Sequence, residues 1–261
     1  PSSLLVNKAG KTVVLTVNSS PSDTGARKIS VRPIGTDQGL RYMDWVETNR
    51  RKVLELSGGK IGYMHVPNTG AEGFIGFARG YWANADKDAL LIDERFNGGG
   101  DIAWYLVERL TRRTLGGLRS RHGDDIFYPW QSPMGPKAML INGYAGSGGD
   151  LFPYMFKQEK LGPLIGTRTW GGLVGIQGSA PLVDGGFLTA PAFGLYDQEK
   201  GEWIAENTGV DPDIEVDLRP DLLAKGEDPQ LAAAVKYLLD ELKKGKAAPK
   251  RPNFPVMKPG K

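Results

Sequence analysis

Two stretches of this chain repeat one arrangement, and it limits the fold more than any other feature. Ala89-Leu90-Leu91-Ile92-Asp93 is an unbroken apolar run ending on an acid. The glycine-rich Asn97-Gly98-Gly99-Gly100 follows, and then 102–112, where Ala103, Leu106, Val107 and Leu110 recur at helical spacing. Further on, Ala138-Met139-Leu140-Ile141 runs into a second glycine-rich loop, 143–147, and a helical stretch, 149–158. A strand apolar at every position is buried on both faces. Strand, loop, helix, strand is the crossover pattern of a parallel sheet. Open parallel sheets take ligands beyond the carboxyl ends of their strands, where both glycine loops fall.

The rest of the chain extends this α/β reading. Residues 40–56 are a predicted helix, with Tyr42, Trp45, Val46, Val53 and Leu54 near helical spacing and Gly58-Gly59 as its stop. Residues 61–66 are a strand ended by Pro67, 73–85 a helix, and 164–166 a short strand. From 171 to 204 the chain is glycine-rich with short apolar pieces, which predicts β-hairpins. Asp228-Pro229 opens a final helix, with an N-cap acid and proline at the first helical position. Before all this lie two β-rich segments, 12–17 and 28–32, which cannot bury a core alone. The organisation expected is 1–34, then an α/β core at 35–244, then a basic Pro/Lys-rich tail at 245–261, disordered by its composition.

Composition removes several functions. The absence of cysteine excludes disulfides, thiolate metal sites and cysteine nucleophiles, and two histidines are too few for a multi-histidine metal cluster. No cofactor is implied. The net charge is only +3, and the last seventeen residues hold five cations and no acid, so the remainder is slightly acidic and no nucleic-acid partner is expected. No apolar run reaches membrane-spanning length. Localisation stays open.

Ser147 lies in Asn142-Gly143-Tyr144-Ala145-Gly146-Ser147-Gly148-Gly149-Asp150, between a buried strand and a helix start. Backbone N–H groups are free at such a junction, so a serine there can act as a nucleophile with an oxyanion donor beside it; it can equally be a helix cap. The Gly98-Gly99-Gly100 turn offers close backbone approach, either for a second donor or for a tight strand-to-helix turn. Neither histidine has the context of a general base: His65 sits within an apolar strand and His122 in a charged loop.

Four segments in order then carry a family resemblance. They are Asp93-x-Arg95-Phe96-Asn97-Gly98-Gly99-Gly100, Tyr144-Ala145-Gly146-Ser147-x-Gly149-Asp150, Gly166-Thr167-Arg168-Thr169-Trp170-Gly171-Gly172, and Glu206-Asn207-x-Gly209-Val210-Asp211-Pro212-Asp213. Together they closely resemble the tricorn protease branch of the tail-specific (C-terminal processing) serine peptidases, over about 40–244. The resemblance implies a crotonase-like (ClpP/crotonase) core, mostly parallel, with residues 1–34 as the end of a PDZ-like domain. It implies Ser147 as nucleophile, with the amides of Gly100 and Gly148 as the oxyanion hole. Glu206, rather than the nearby Glu202, would be the acid of a Ser-His-Ser-Glu tetrad. Gly99, Thr169, Trp170 and Gly171 would lie along the substrate, a peptide or unfolded polypeptide.

Two departures from the family follow. Its histidine and second serine come from a domain preceding the PDZ-like module, and no position here matches them. The chain is therefore expected to be inactive alone, with the histidine-bearing N-terminal part of its own protein as a partner. The alternative is a non-catalytic peptide-binding module of the same fold; a crotonase-like acyl-CoA enzyme is a third reading, but phosphate-binding glycine spacing is missing. The second departure is the apolar and basic stretch 114–121, where the tricorn branch carries an acid. A preference for basic side chains is accordingly not expected. The resemblance also implies homo-oligomers.

Overall fold

The computed structural model describes residues 2–130, 135–178, 180–245 and 252–254. The chain divides into two compact units, 1–48 and 49–261. The first holds the antiparallel pair β1 (Val13–Val17) and β2 (Arg27–Val31), in register from Val13 opposite Val31 to Val17 opposite Arg27. Helix α1 (Gln38–Ser57) begins in this unit and ends in the second.

The second unit contains both predicted strand–loop–helix stretches. Its elements are β3 (Ile61–His65), α2 (Ala71–Ala83), β4 (Ala89–Asp93), α3 (Ala103–Leu110), β5 (Gly116–Leu118), β6 (Ile126–Tyr128), β7 (Lys137–Ile141), α4 (Gly148–Gln158) and β8 (Leu164–Gly166). They continue with β9 (Gly175–Gly178), β10 (Thr189–Phe193), β11 (Ile214–Glu215), α5 (Pro220–Leu223) and α6 (Pro229–Lys243). Five strands form one parallel sheet in the order β11-β8-β7-β4-β3. Every residue of β3, β4, β7 and β8 is buried, the apolar runs and also the terminal His65, Asp93 and Lys137.

Side chains alternate across the sheet. Met64, Leu90, Ile92, Met139 and Ile141 join one core with Phe77 of α2, Leu106 of α3 and Phe152 of α4. The intervening Leu91, Leu140 and Ile165 are equally buried and face the side on which α6 packs against β4, β7 and β8. Leu231, Ala234, Val235 and Leu238 form the buried face of α6. Asp228 caps it as expected, accepting from the Leu231 amide at 3.0 Å.

The hairpin region 171–204 contains the antiparallel β9–β10 pair and an isolated bridge between Tyr196 and Trp203. The antiparallel β5–β6 pair has no counterpart in the sequence reading. Its Gly-Gly-Leu and Ile-Phe-Tyr strands are three residues each and too short for a period to register. His122 is exposed in the loop between them. The tail is described only at 245 and 252–254, where the Phe254 ring lies 4.5 Å from the Arg119 guanidinium; the rest of the expected disordered tail falls outside the described residues.

Candidate active site

Strands β3, β4, β7 and β8 run the same way, so four loops leave the sheet at one end: 66–70 after β3, 94–102 after β4, 142–147 after β7 and 167–172 after β8. Both glycine loops are among them, and the backbone hydrogen bonds join all four. Thr69 N–H donates to the Gly99 carbonyl at 2.8 Å, and Ile102 N–H donates to the Thr69 carbonyl at 2.9 Å. Gly146 N–H donates to the Asn97 carbonyl at 3.1 Å. Ser147 N–H donates to the Gly172 carbonyl at 3.0 Å, and Trp170 N–H to the Ala145 carbonyl at 2.8 Å.

Ser147 immediately precedes α4, with φ 57° and ψ −119°. That positive φ is unusual for a residue with a side chain and costs of order 1–3 kcal/mol. The bonds through its amide and its neighbours' backbone hold it there. The turn thrusts the half-buried Ser147 side chain toward the triple-glycine loop: a Cβ built at Gly99 would lie 2.7 Å from Ser147 Cβ and 3.0 Å from its Oγ. Gly99 and Gly100 have φ of 88° and 135°, so the loop needs glycine for both its curvature and its approach to Ser147.

Two N–H groups beside this hydroxyl have no internal acceptor among the described residues. Gly148 N–H is the first of α4, where the helix leaves donors unused and its dipole is positive. Gly100 N–H is the second. The two glycines touch: a Cβ at Gly148 would overlap the Gly100 carbonyl and lie 2.8 Å from Gly100 N. A hydroxyl with acceptor-free amides close by is a feature that acyl-transfer chemistry requires.

The 169–172 turn forms the adjoining wall. Asp150, buried in the first turn of α4, accepts from Thr169 Oγ1 at 2.5 Å, Gly171 N at 2.8 Å and Gly172 N at 3.1 Å. Thr169 Oγ1 in turn accepts from Val210 N at 2.8 Å. The Thr169 side chain therefore braces the turn from inside. Gly99 and Gly171 are buried too, while Trp170 is 70 % exposed with its indole laid against Gly146 and Gly172. Glu206 joins this wall from the other side. Its Oε2 accepts from Leu173 N at 2.7 Å and Val174 N at 2.6 Å, directly after the glycine that anchors Ser147. Glu206 is half-buried and lines a mostly apolar cleft of about 370 Å³ with Val174, Phe193, Trp203 and Ile204. Glu202 is exposed.

Neither histidine joins the group. His65 is buried, its Nε2 donates to the Arg95 carbonyl at 2.9 Å, and burial holds its pKa below 6.5. No hydrogen bond links His65 or His122 to Ser147 or Glu206 among the described residues.

A model of peptidase family S41 matches residues 60–216, the span that carries every loop just described. The chain belongs to peptidase family S41. It is 39% identical over 251 residues to tricorn protease of Thermoplasma acidophilum, covering 96% of this chain and 23% of that protein. It is 41% identical over 243 residues to tricorn protease homolog 1 of Streptomyces coelicolor, covering 93% and 22%. A crystal structure of the tricorn protease superposes with a TM-score of 0.83 at 39% identity, over 92% of this chain and 23% of that one. The S41 chain thus spans about a quarter of the length of these relatives. A crystal structure from Parabacteroides merdae, at TM-score 0.57 and 19% identity over 94% of this chain and 83% of that one, shares the fold.

Three side chains at this edge had no role assigned from sequence. Asp150 sits inside a quoted motif, and an acid in the first turn of a helix signals capping; here it reaches across to another loop instead. Thr69 follows a Pro-Asn turn signal in a loop with no chemistry of its own. Glu94 is buried beside Asp93 and reads from sequence as one more loop acid.

Proposed function

We propose that this chain is the catalytic part of a serine peptidase that cleaves peptides or unfolded polypeptide through an acyl-enzyme. Ser147 Oγ attacks the scissile carbonyl carbon, losing its proton to a base, while the carbonyl oxygen takes the negative charge and receives hydrogen bonds from Gly100 N–H and Gly148 N–H. Collapse expels the amine, which takes the proton back, and leaves an ester on Ser147. Water then attacks that ester with the same proton acceptor and the same oxyanion donors, releasing the acid and restoring the hydroxyl. The single observation that carries this reading is the Ser147 side chain held at positive φ against a glycine loop whose amide, like that of Gly148, has no internal acceptor.

Glu206 is the acid of a Ser-His-Ser-Glu tetrad in this proposal. Its two hydrogen bonds from 173–174 hold it in place at the cleft, and the histidine and second serine belong to polypeptide beyond these 261 residues, the N-terminal part of the same protein. Trp170 provides the exposed wall of the substrate channel; Gly99, Thr169 and Gly171 shape it from behind. The core is of the crotonase type, residues 1–34 close a PDZ-like domain, and the assembled enzyme is a homo-oligomer. Arg119 and Arg121 on the hairpin after α3 argue against a preference for basic side chains.

Without a base, only oxyanion and binding effects remain, worth about 10³–10⁴-fold over water. The 261-residue chain alone is therefore expected to turn over amide substrates only at that residual rate, and the complete protein to label at Ser147 with a fluorophosphonate. Full turnover by the chain alone, abolished by Ser147→Ala, would overturn the external base. Absence of labelling in the complete protein would overturn the peptidase and favour a peptide-binding module.

A further inference from the structure

Thr69 is fully buried, and its Oγ1 has no hydrogen-bond partner among the described residues. Buried hydroxyls are nearly always paired, so an unpaired one at a functional site calls for an account. Its position is specific. The segment 67–69 runs beside the glycine loop: Gly98 N–H donates to the Pro67 carbonyl at 3.0 Å, Thr69 N–H to the Gly99 carbonyl, and Ile102 N–H to the Thr69 carbonyl. The Thr69 backbone therefore grips the loop on both sides of Gly100. A Cβ built at Gly100 would lie 2.5 Å from Gly70 N and overlap the Thr69 carbonyl carbon, so the peptide after Thr69 packs directly on Gly100. The side chain does the same for the other donor: a Cβ at Gly148 would overlap Thr69 Oγ1. One residue thus touches both glycines whose amides lack acceptors, and it places an uncommitted O–H behind them.

We infer that Thr69 is a positioning residue of the oxyanion site. Its backbone sets the Gly100 amide, and its hydroxyl, free to rotate because nothing holds it, turns its dipole toward the negative charge that forms between Gly100 and Gly148. The Thr69 hydroxyl is itself fully buried, so its dipole is little screened on its own side of the site. The inference rests on the peptidase reading of Ser147 and adds to it a group on a loop that neither glycine motif contains. The absence of a partner in the resting site is part of the function: a hydroxyl already bonded elsewhere would not be available to the anion.

The test uses the 261-residue chain and benzeneboronic acid, followed by ¹¹B NMR. A lone pair of Ser147 Oγ forms a bond to boron, the boron becomes tetrahedral and anionic, and the serine proton passes to buffer; nothing is oxidised or reduced. Thr69→Val and Thr69→Ala lack the hydroxyl and are expected to weaken the Ser147-dependent adduct about tenfold, less than the 10²–10³-fold of removing a direct oxyanion donor. Thr69→Ser keeps the hydroxyl and is expected within about twofold of the parent chain, a rescue that loss of packing does not produce. Melting curves identify which variants are folded. Equal affinity in a folded Thr69→Val or Thr69→Ala overturns the inference, and so does a Thr69→Ser as weak as they are. No adduct with the parent chain, or one that survives Ser147→Ala, also overturns the inference, because the oxyanion site would then not be preformed around Ser147; the peptidase reading on which it rests is judged separately, by fluorophosphonate labelling of the complete protein.

Discussion

Replacing Arg95 with methionine tests what holds the first glycine loop. Arg95 is 1% exposed and Asp93 0%. The guanidinium binds Asp93 through Nε at 2.9 Å and through a second nitrogen at 2.7 Å, and also reaches Asp228 at 2.9 Å and Gln230 at 3.2 Å. It therefore ties the end of β4 to the start of α6. Methionine fills similar volume and leaves Asp93 with the Tyr63 hydroxyl at 2.9 Å, a charge in the core without its cation. Removing one partner of such a pair costs about 3–5 kcal/mol, a large part of a total near 5–15 kcal/mol. At an m-value of about 3 kcal/mol/M, a loss of 4 kcal/mol lowers the urea midpoint by about 1.3 M. The pH dependence separates charge from packing. Burial raises the Asp93 pKa, but Arg95 overrides it and holds the carboxyl below 3.8. In the parent, this stabilisation is present above 3.8 and lost as pH falls through the lower native value. In Arg95→Met burial is opposed only by the Tyr63 hydroxyl, the residue-95 amide and His65, so the deficit is greatest at neutral pH and narrows on acidification as Asp93 protonates. Adding Asp93→Asn restores most of the lost stability. A midpoint for Arg95→Met within about 0.3 M of the parent at pH 7 would refute this account.

Three other outcomes follow from the same structure. Glu94 is fully buried, and burial first, then Asp150 and Asp93, push its pKa well above 4.5. Its stabilising contribution is full below 4.5 and lost as pH rises through the native value, so Glu94→Gln should flatten the pH dependence of thermal melting above 4.5; parallel curves would contradict this. Gly148→Ala drives a methyl into Thr69 Oγ1 and the Gly100 carbonyl, which should cost about 1–3 kcal/mol by chemical denaturation and abolish boronate binding. Asp150→Ala strips the Thr169 hydroxyl and the Gly171 and Gly172 amides of their acceptor. A loss of about 3–5 kcal/mol is expected, and an unchanged urea midpoint would mean that the turn is held by something else.

The parallel sheet was legible because the interiors of its central strands are continuous apolar runs, a pattern that few other environments permit. Ala89–Asp93 and Leu164–Gly166 fall where the sequence puts them, and α4 begins one residue earlier than expected, at Gly148. The residues alone leave the triple-glycine turn open between an oxyanion donor and a tight strand-to-helix turn, and it is the family resemblance that implies Gly100 and Gly148. The short β5–β6 hairpin and the two-residue β11 carry too few residues to show a period. Thr69 and Asp150 escaped for a different reason: their importance lies in contacts with loops distant in sequence, and a threonine after Pro-Asn or an acid in a helix's first turn already has a local explanation.

The stitching of 145–147 to 170–172, and of 169 to 210, has a consequence for how this edge opens. Neither loop can peel away alone, since the amides of Ser147, Trp170, Gly171, Gly172 and Val210 each donate to a group outside their own loop. The protons on Ser147, Trp170, Gly171, Gly172 and Val210 should therefore exchange with deuterium at one shared rate, as a single cooperative patch that is either shut or entirely undone.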